Sequence, residues 1–468
     1  MTISISSCRW VVAGWFFLLA VLGPYCGTVA AGENAADAGQ GIVVTVSPPA
    51  SDVGLATLNR GGNAVDTAVA TAFALAVTWP AAGNIGGGGF MMVYPGPGRH
   101  PVCVEYRETA PAAATPDLLV HDFRMDGHRV AATPGTVAGL ALAHRKWGTL
   151  PWRELVMPAV RLARDGFEVD KALAGSLNGA LQSNQQFAEL QRVYRPQGKE
   201  KWQAGDRLVQ PDLARTLENI ADGGPDAFYR GPIADLIAAE MEAGGGLITR
   251  DDLARYQAKL REPIHGSYRG YDVYGPPPPS SGGICLVEML NILENFQLNE
   301  GSSRQPPIGQ PAHWSPQAMH LVIEAMRRAY CDRARHLGDA DFVSIPPHLT
   351  AKEYAKELAA AIDPDKATPS EAIAPDIPLA GESPETTHFS IVDGSGMAVS
   401  NTYTLENSYG CRVVVRGAGF LLNNEMTDFN HVPGRTDRTG LIGTPANVIA
   451  PGKRMLSSQT PTLVARNG

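Results

Sequence analysis

Charge is scarce in this 468-residue sequence, and its balance is acidic. Charged residues make up 18% of the chain, the formal net charge is −8, and no sustained basic run occurs. Proteins that bind nucleic acid neutralise phosphates with clustered lysine and arginine side chains. The composition therefore argues against nucleic acid as a partner. Hydrophobic residues, at 44%, are sufficient for a large core.

Cysteine is also sparse, and none of it is arranged to hold a metal. Two of the six cysteines lie near the N-terminus, and the others are Cys103, Cys285, Cys331 and Cys411. No pair has the CxxC spacing typical of zinc sites, so we expect neither a metal nor another cofactor. A chain of this length does not need a disulfide scaffold. We expect buried thiols, with one incidental disulfide as the alternative.

Long hydrophobic runs are missing, with one exception at the N-terminus. Residues 10–23 form an apolar stretch after Arg9, and small residues at 28–31 make a candidate cleavage site. The stretch is shorter than the ~20 residues of a membrane span and is typical of a signal peptide. We expect residues 1–31 to be removed and the protein to be secreted or periplasmic. A membrane anchor is the alternative if this segment is not cleaved.

Helical and strand-like patterns alternate through the rest of the chain. Residues 64–77 are apolar on nearly every side, which predicts a helix buried between layers. Residues 211–222 predict an amphipathic helix that begins at a proline, and residues 420–422 predict a strand. The glycine run at 86–89 lacks the lysine and the spacing of a phosphate-binding loop. We therefore expect it to serve tight backbone packing.

A β-hairpin is predicted around the Gly-Ser-Gly sequence at 394–396, between two runs of β-forming residues. If Asp393 pairs with Met397 across this turn, Thr386 lies opposite Thr404. Facing threonines are common in sheets, so this pair alone indicates only structure. It acquires chemical meaning if Thr386 becomes a new N-terminus.

An N-terminal threonine can act as a nucleophile without a separate base. Its hydroxyl attacks a carbonyl carbon, and its own α-amino group, with a pKa of about 7.7–8.0, accepts the proton. Cleavage between Glu385 and Thr386 would free that amine. The preceding stretch, residues 363–385, is rich in proline and alanine, as in an exposed loop. Because the threonine supplies its own base, we interpret the nearby His388 as structural.

The sequence Thr-Thr-His-Phe-Ser-Ile-Val-Asp at 386–393 closely resembles the start of the small subunit of γ-glutamyltranspeptidases. Further motifs resemble the family in the family's order, at 61–66, 86–90, 107–111, 277–283, 324–330, 402–405 and 421–426. The likeness runs from residue 42 to residue 462. Because many separate motifs agree, the resemblance is specific.

The resemblance implies an α+β fold, the four-layer αββα sandwich of N-terminal-nucleophile hydrolases. It implies autocatalytic cleavage between Glu385 and Thr386, which divides the chain into a large-subunit region, 32–385, and the start of a small-subunit region, 386–468. Thr386 would attack the γ-glutamyl amide of glutathione or a related compound to form an acyl-enzyme. Water, an amino acid or a peptide would then accept the acyl group.

The resemblance also assigns residues to the nucleophile and to the donor's α-carboxylate. Thr404 would form a hydrogen bond to Thr386 and orient it. Arg107 would bind the carboxylate, a task that suits the bidentate guanidinium. Ser457 and Ser458 resemble the paired serines that bind the same group.

The donor's α-amino group is assigned to acidic residues. Glu425 and Asp428 resemble its acceptors in the family. Glu406 stands where many members have asparagine, but some bacterial members carry glutamate there, so this contact can persist. Together with the carboxylate-binding residues, they would clamp a zwitterion. Thr439 occupies a position where several members place an aromatic gate, which favours hydrolysis over transfer.

The region from Thr386 to Gly468 is shorter than the family's small subunits. The glycine pair that supplies the oxyanion hole in the family would follow Gly468, and such donors are each worth ~10²–10³ in rate. We therefore expect a truncated sequence, a fragment or a frameshifted gene product. A natural chain that ended here is expected to be unstable or inactive.

Two alternatives stay open. One is an amidohydrolase of the cephalosporin or glutaryl acylase type, with the same fold and a different acyl group. An acyl chain without an amino group would leave Glu425 and Asp428 unpaired, which favours the hypothesis of a γ-glutamyl substrate. The other is a secreted, unprocessed protein that keeps the scaffold without catalysis.

Overall fold

The structure is a computed structural model that describes residues 41–298, 315–374, 386–435 and 444–466. Its strands are β1 (Gly41–Val44), β2 (Gly88–Tyr94), β3 (Val102–Glu105), β4 (Phe167–Glu168), β5 (Arg207–Leu208), β6 (Lys259–Arg261), β7 (Ile264–Tyr268), β8 (Tyr271–Gly275), β9 (Thr387–Asp393), β10 (Ala398–Thr404) and β11 (Leu463–Ala465). Its α-helices are α1 (Pro48–Asn59), α2 (Ala64–Thr78), α3 (Thr136–Trp147), α4 (Trp152–Asp165), α5 (Lys171–Ser183), α6 (Ala188–Tyr194), α7 (Pro211–Tyr229), α8 (Pro232–Gly244), α9 (Arg250–Arg255), α10 (Gly282–Leu293), α11 (Pro316–His336), α12 (Lys352–Ala360) and α13 (Ser370–Ile373). The predicted signal peptide, Glu385 and Thr439 lie outside the described residues.

The central sheet has six strands in the order β1-β9-β10-β2-β3-β6, with antiparallel neighbours throughout. Strands β9 and β10 form the predicted hairpin, closed by a hydrogen bond from the backbone N of Asp393 to the carbonyl of Met397, 3.0 Å. Thr387 pairs with Tyr403, so the predicted register is confirmed. One step further along this register, Thr386 faces Thr404.

The two faces of this sheet are buried against different layers. Phe389 and Ile391 belong to the main hydrophobic cluster, together with most of helix α2, whose residues are all buried as predicted. On the opposite face, Phe90 packs with Tyr274 of β8. Because side chains alternate along a strand, and Thr402 pairs with Phe90, Thr404 lies on the face turned away from α2.

A second, three-stranded sheet has the order β11-β8-β7, and helix α10 packs against it. Ile284 of α10 lies in a hydrophobic cluster with Ile264 of β7. Helices α11 and α12 pack in turn against α10. A third, two-stranded sheet pairs β4 with β5.

Two local predictions need correction. The predicted strand at 420–422 is wrong, because Leu421 forms only an isolated bridge with Val414 in a local turn. The segment is apolar because its side chains pack in the core, where Phe420 contacts Phe228. The helix predicted at 211–222 continues as α7 to Tyr229, past a kink at Gly224, where φ is 63°.

The four cysteines within the described residues, Cys103, Cys285, Cys331 and Cys411, are buried thiols, as expected. In the same part of the chain, no helix combines the length and the apolar character needed to cross a membrane.

Candidate active site

One cavity of about 310 Å³ lies where strand β10 ends. It is lined by all eight residues that the sequence assigned to the site: Thr386, Thr404, Arg107, Glu406, Glu425, Asp428, Ser457 and Ser458. These residues come from distant parts of the sequence, so the fold brings them together. The lining also includes residues that sequence reasoning did not assign, among them Met125, Arg333, Phe429, His431 and Asn447.

Thr404 occupies the last position of β10 beside the exposed Thr386. Its Oγ1 accepts a hydrogen bond from the backbone N of Glu406, 2.9 Å. Glu406 itself has a positive φ of 78°, which turns the chain sharply after the strand. This turn places the Thr404 hydroxyl and the Glu406 carboxyl at the same cavity.

His388 is held within the sheet. Its Nδ1 lies 2.8 Å from Thr402 Oγ1, and its Nε2 lies 3.0 Å from Ser390 Oγ. Partial desolvation by its neighbours in the sheet lowers the pKa of its imidazole, which favours the neutral ring. Both ring nitrogens are thus occupied by neighbouring strand residues, in keeping with the structural interpretation.

Arg107 lies just beyond β3, is 1% exposed, and has three carboxylates around it. Its guanidinium is 2.6 Å from Glu425 and 3.6 Å from Glu108, and it also donates to Asp428. Burial alone would lower the pKa of Arg107, but these carboxylates raise it above its usual value. The arginine therefore stays charged in a buried setting.

Burial has the opposite consequence for the acids, because it disfavours a negative charge. It raises the pKa of Glu108 to about 7 and that of Glu406 to about 8, and it raises the pKa of Glu425 as well. Burial thus favours the neutral form of all three of these carboxyls more than water would. An ammonium group that binds there would lower the pKa of these acids and favour their ionised form.

Two residues close to these groups were given no role from the sequence. Glu108 directly follows Arg107 and is fully buried behind it. Arg333 of α11 lines the cavity three residues after the recognised motif at 324–330. The motif indicated that this helix mattered, but only the packing shows which of its side chains reaches the cavity.

Comparison with known proteins shows the family of this chain. The family profile described as Gamma-glutamyltranspeptidase matches residues 50–468. The chain belongs to this family. A glutathione hydrolase proenzyme from Escherichia coli (strain K12) is 47% identical over 440 residues, which cover 92% of this chain and 73% of that protein.

Solved structures of a γ-glutamyltranspeptidase and of a cephalosporin acylase share the mixed α+β fold. The Helicobacter pylori γ-glutamyltranspeptidase matches with a TM-score of 0.66 and 41% identity, covering 70% of this chain and 94% of that one. A cephalosporin acylase from Bacillus halodurans matches with a TM-score of 0.77 and 27% identity, covering 92% of this chain and 75% of that one. By sequence, the acylase is the more distant of the two. The chain is thus an enzyme of the γ-glutamyltranspeptidase family.

Proposed function

We propose that this enzyme hydrolyses or transfers the γ-glutamyl group of glutathione and related amides through a γ-glutamyl-Thr386 acyl-enzyme. One observation carries the proposal: a single cavity collects Thr386 and Thr404 with both halves of a clamp for an α-amino acid. Arg107 and the serines Ser457 and Ser458 suit the donor's α-carboxylate. The acids Glu406, Glu425 and Asp428 suit its ammonium group.

The chemistry follows from an N-terminal threonine. Once the bond before Thr386 is cut, its free α-amine takes the hydroxyl proton while Oγ1 attacks the γ-carbonyl carbon. The carbon–nitrogen bond of the amide then breaks, and the proton passes to the departing amine. Water or an amine acceptor repeats the sequence on the ester and releases glutamate or a new γ-glutamyl compound.

The layers described above support a four-layer αββα sandwich: α1 and α2, the six-stranded sheet, the three-stranded sheet, and α10 with its neighbours. Cleavage would leave residues 32–385 and 386–468 as parts of a large and a small subunit from one precursor. The apolar segment at 10–23 supports export to the periplasm or beyond.

Substitution of the nucleophile tests this proposal directly. Thr386→Ala should leave a single uncleaved band on a denaturing gel, whereas the parent chain should give two, the smaller beginning Thr-Thr-His-Phe-Ser. Thr386→Ser keeps a hydroxyl and is the matched control, because it should still be cleaved.

The cleaved enzyme should hydrolyse a γ-glutamyl anilide at least about tenfold faster than a glutaryl anilide, since the latter lacks the ammonium group. Equal processing of Thr386→Ala, or a preference for the glutaryl compound, would contradict the proposal.

A further inference from the structure

The turn that carries Ser457 and Ser458 has no regular secondary structure of its own. Ser457 is 3% exposed, and its Oγ accepts a hydrogen bond from the backbone N of Gln459, 3.1 Å. A serine hydroxyl in that position still has its own proton to donate. The direction in which this hydroxyl donates depends on the contacts that fix the backbone of the turn.

The segment from Pro279 to Ser281 holds it from one side. The backbone N of Ser457 donates to the carbonyl of Pro279, 2.8 Å, and Ser280 forms a parallel bridge with Ser457. The carbonyl of Ser457 accepts two hydrogen bonds from Ser281, from its backbone N at 2.7 Å and from its Oγ at 2.8 Å.

The close approach of the two segments requires a glycine. A Cβ at Gly282 would lie 2.1 Å from Thr460 Oγ1 and 2.8 Å from the carbonyl of Gln459. Ser280 and Ser281 are 0% and 1% exposed, so water does not compete for these hydrogen bonds.

Ser281 is in turn fixed by a helix. Arg333 of α11 donates from Nε to Ser281 Oγ, 2.9 Å, and the same arginine lines the cavity. A hydroxyl that accepts from a cation becomes a better donor, because hydrogen bonds in a chain polarise one another. Arg333, Ser281 and the carbonyl of Ser457 therefore form one directed chain of hydrogen bonds from a rigid helix to the turn.

We propose that Ser281 and Arg333 are positioning residues that hold the Ser457–Ser458 turn in place to bind the donor's α-carboxylate. This inference rests on the proposed function, because that function assigns the carboxylate to the turn. It adds two residues that do not need to touch the donor themselves.

The test compares two donors that differ only in the α-carboxylate, γ-glutamyl p-nitroanilide and 4-aminobutanoyl p-nitroanilide. In the processed enzyme, Ser281→Ala should raise KM for the γ-glutamyl donor about fivefold, the worth of one hydrogen bond, and leave kcat within about twofold. KM for the 4-aminobutanoyl donor should stay within about twofold. A rise of KM by the same factor for both donors would overturn the proposal.

Ser280→Ala is the matched control. It removes an equally buried hydroxyl from the same segment, but that hydroxyl donates to the carbonyl of Gln459, 2.6 Å, and not to Ser457. Its KM for both donors should stay within about twofold of the parent value. Arg333→Lys should raise KM in the same direction as Ser281→Ala, and the double variant should exceed the larger single effect by less than about twofold. Fully additive effects would show that the two residues act separately, against the proposal.

Titration calorimetry with L-glutamate and 4-aminobutanoate separates this inference from the catalytic proposal. Ser281→Ala should weaken binding of L-glutamate about fivefold and leave binding of 4-aminobutanoate unchanged. If the parent protein binds L-glutamate in this way but cleaves no γ-glutamyl donor, the positioning role stands and the catalytic proposal fails. If the parent protein does not bind L-glutamate, the positioning role fails.

Discussion

The buried guanidinium of Arg107 forms ion pairs with three carboxylates in the absence of substrate, those of Glu108, Glu425 and Asp428. A donor that brings both an α-carboxylate and an ammonium group can exchange these ion pairs. On the proposed function, its carboxylate would contact part of the guanidinium, and its ammonium group would contact the acids that are released. A single-charged acyl group cannot make both exchanges and would leave one buried charge uncompensated.

Glu406 provides a pH test at this scale. Burial, and then the nearby Asp428, raises its pKa to about 8, so the carboxyl is neutral below that pH and ionised above it. Because only the ionised form attracts the donor's ammonium group, KM for a γ-glutamyl donor should fall about threefold as pH rises from 6 to 7.5, before the donor's own α-amine loses its proton. Steady-state kinetics across this range would measure the change.

Glu406→Asn removes the titrating group and keeps a side chain that can accept a hydrogen bond. Its KM should change less than about twofold over the same range, while kcat keeps the pH dependence that comes from the α-amine of Thr386. Identical KM profiles for the parent and the variant would remove Glu406 from ammonium binding.

Among the elements, the glycine run at 86–89 packs as the sequence suggested. A Cβ at Gly87 would lie 2.0 Å from the carbonyl of Thr404, and one at Gly86 would lie 2.1 Å from the carbonyl of Leu421. Asn84 links the same places, since its Nδ2 donates to the Thr404 carbonyl and its Oδ1 accepts from the backbone N of Gly87, both at 2.9 Å. These contacts therefore fix the position of the end of β10 against the start of β2.

Gly87→Ala should destabilise the protein by about 2–3 kcal/mol, because the methyl group meets backbone that cannot move aside. Gly175→Ala is the matched control: this glycine lies within helix α5 with no atom within 4 Å of an added Cβ. It should be neutral or stabilising by up to about 1 kcal/mol. Urea unfolding of both variants measures the difference, and equal stabilities would refute the packing argument.

Elements differ in how well the sequence predicts them. The β9–β10 register was predictable because a short glycine turn leaves few pairings for two alternating runs. The segment at 420–422 resembles a strand only because it is apolar, and its bridge to Val414 depends on a turn that no local pattern reveals. Likewise, the residue types of the site were readable from motifs, whereas the hydrogen bond from Arg333 to Ser281 joins segments about fifty residues apart. Burial, which sets the pKa of Glu108 and Glu406, was also absent from the sequence.

At the scale of the whole molecule, a buried acid makes stability depend on pH. Glu288 of α10 is 0% exposed and lies against Asp332 of α11, whose carboxylate accepts a hydrogen bond from Tyr354 of α12, 2.6 Å. Burial, and then Asp332, raises the pKa of Glu288 to about 9. The folded protein holds this proton at pH values where the unfolded chain has released it.

Stability should therefore fall as pH rises from the unfolded pKa of about 4.3 towards 9, by at most about 1.4 kcal/mol per pH unit from this group. Glu288→Gln mimics the protonated acid and should lose that slope, so it should gain stability relative to the parent between pH 5 and pH 8. Glu242→Gln, an exposed change on helix α8, should follow the parent curve. Parallel curves for Glu288→Gln and the parent in urea unfolding would show that the pKa of Glu288 is not raised.

The strand order β1-β9-β10-β2 has a consequence for the mature enzyme. The proposed cut before Thr386 would leave β9 and β10, from one polypeptide, inserted between two strands of the other. The break would then produce a new terminus without producing a separable partner. Two polypeptides interleaved in this way can separate only when the sheet unfolds, so after dilution activity should decline no faster than the protein unfolds. A damaged small chain could not be exchanged for an intact one without melting the sheet.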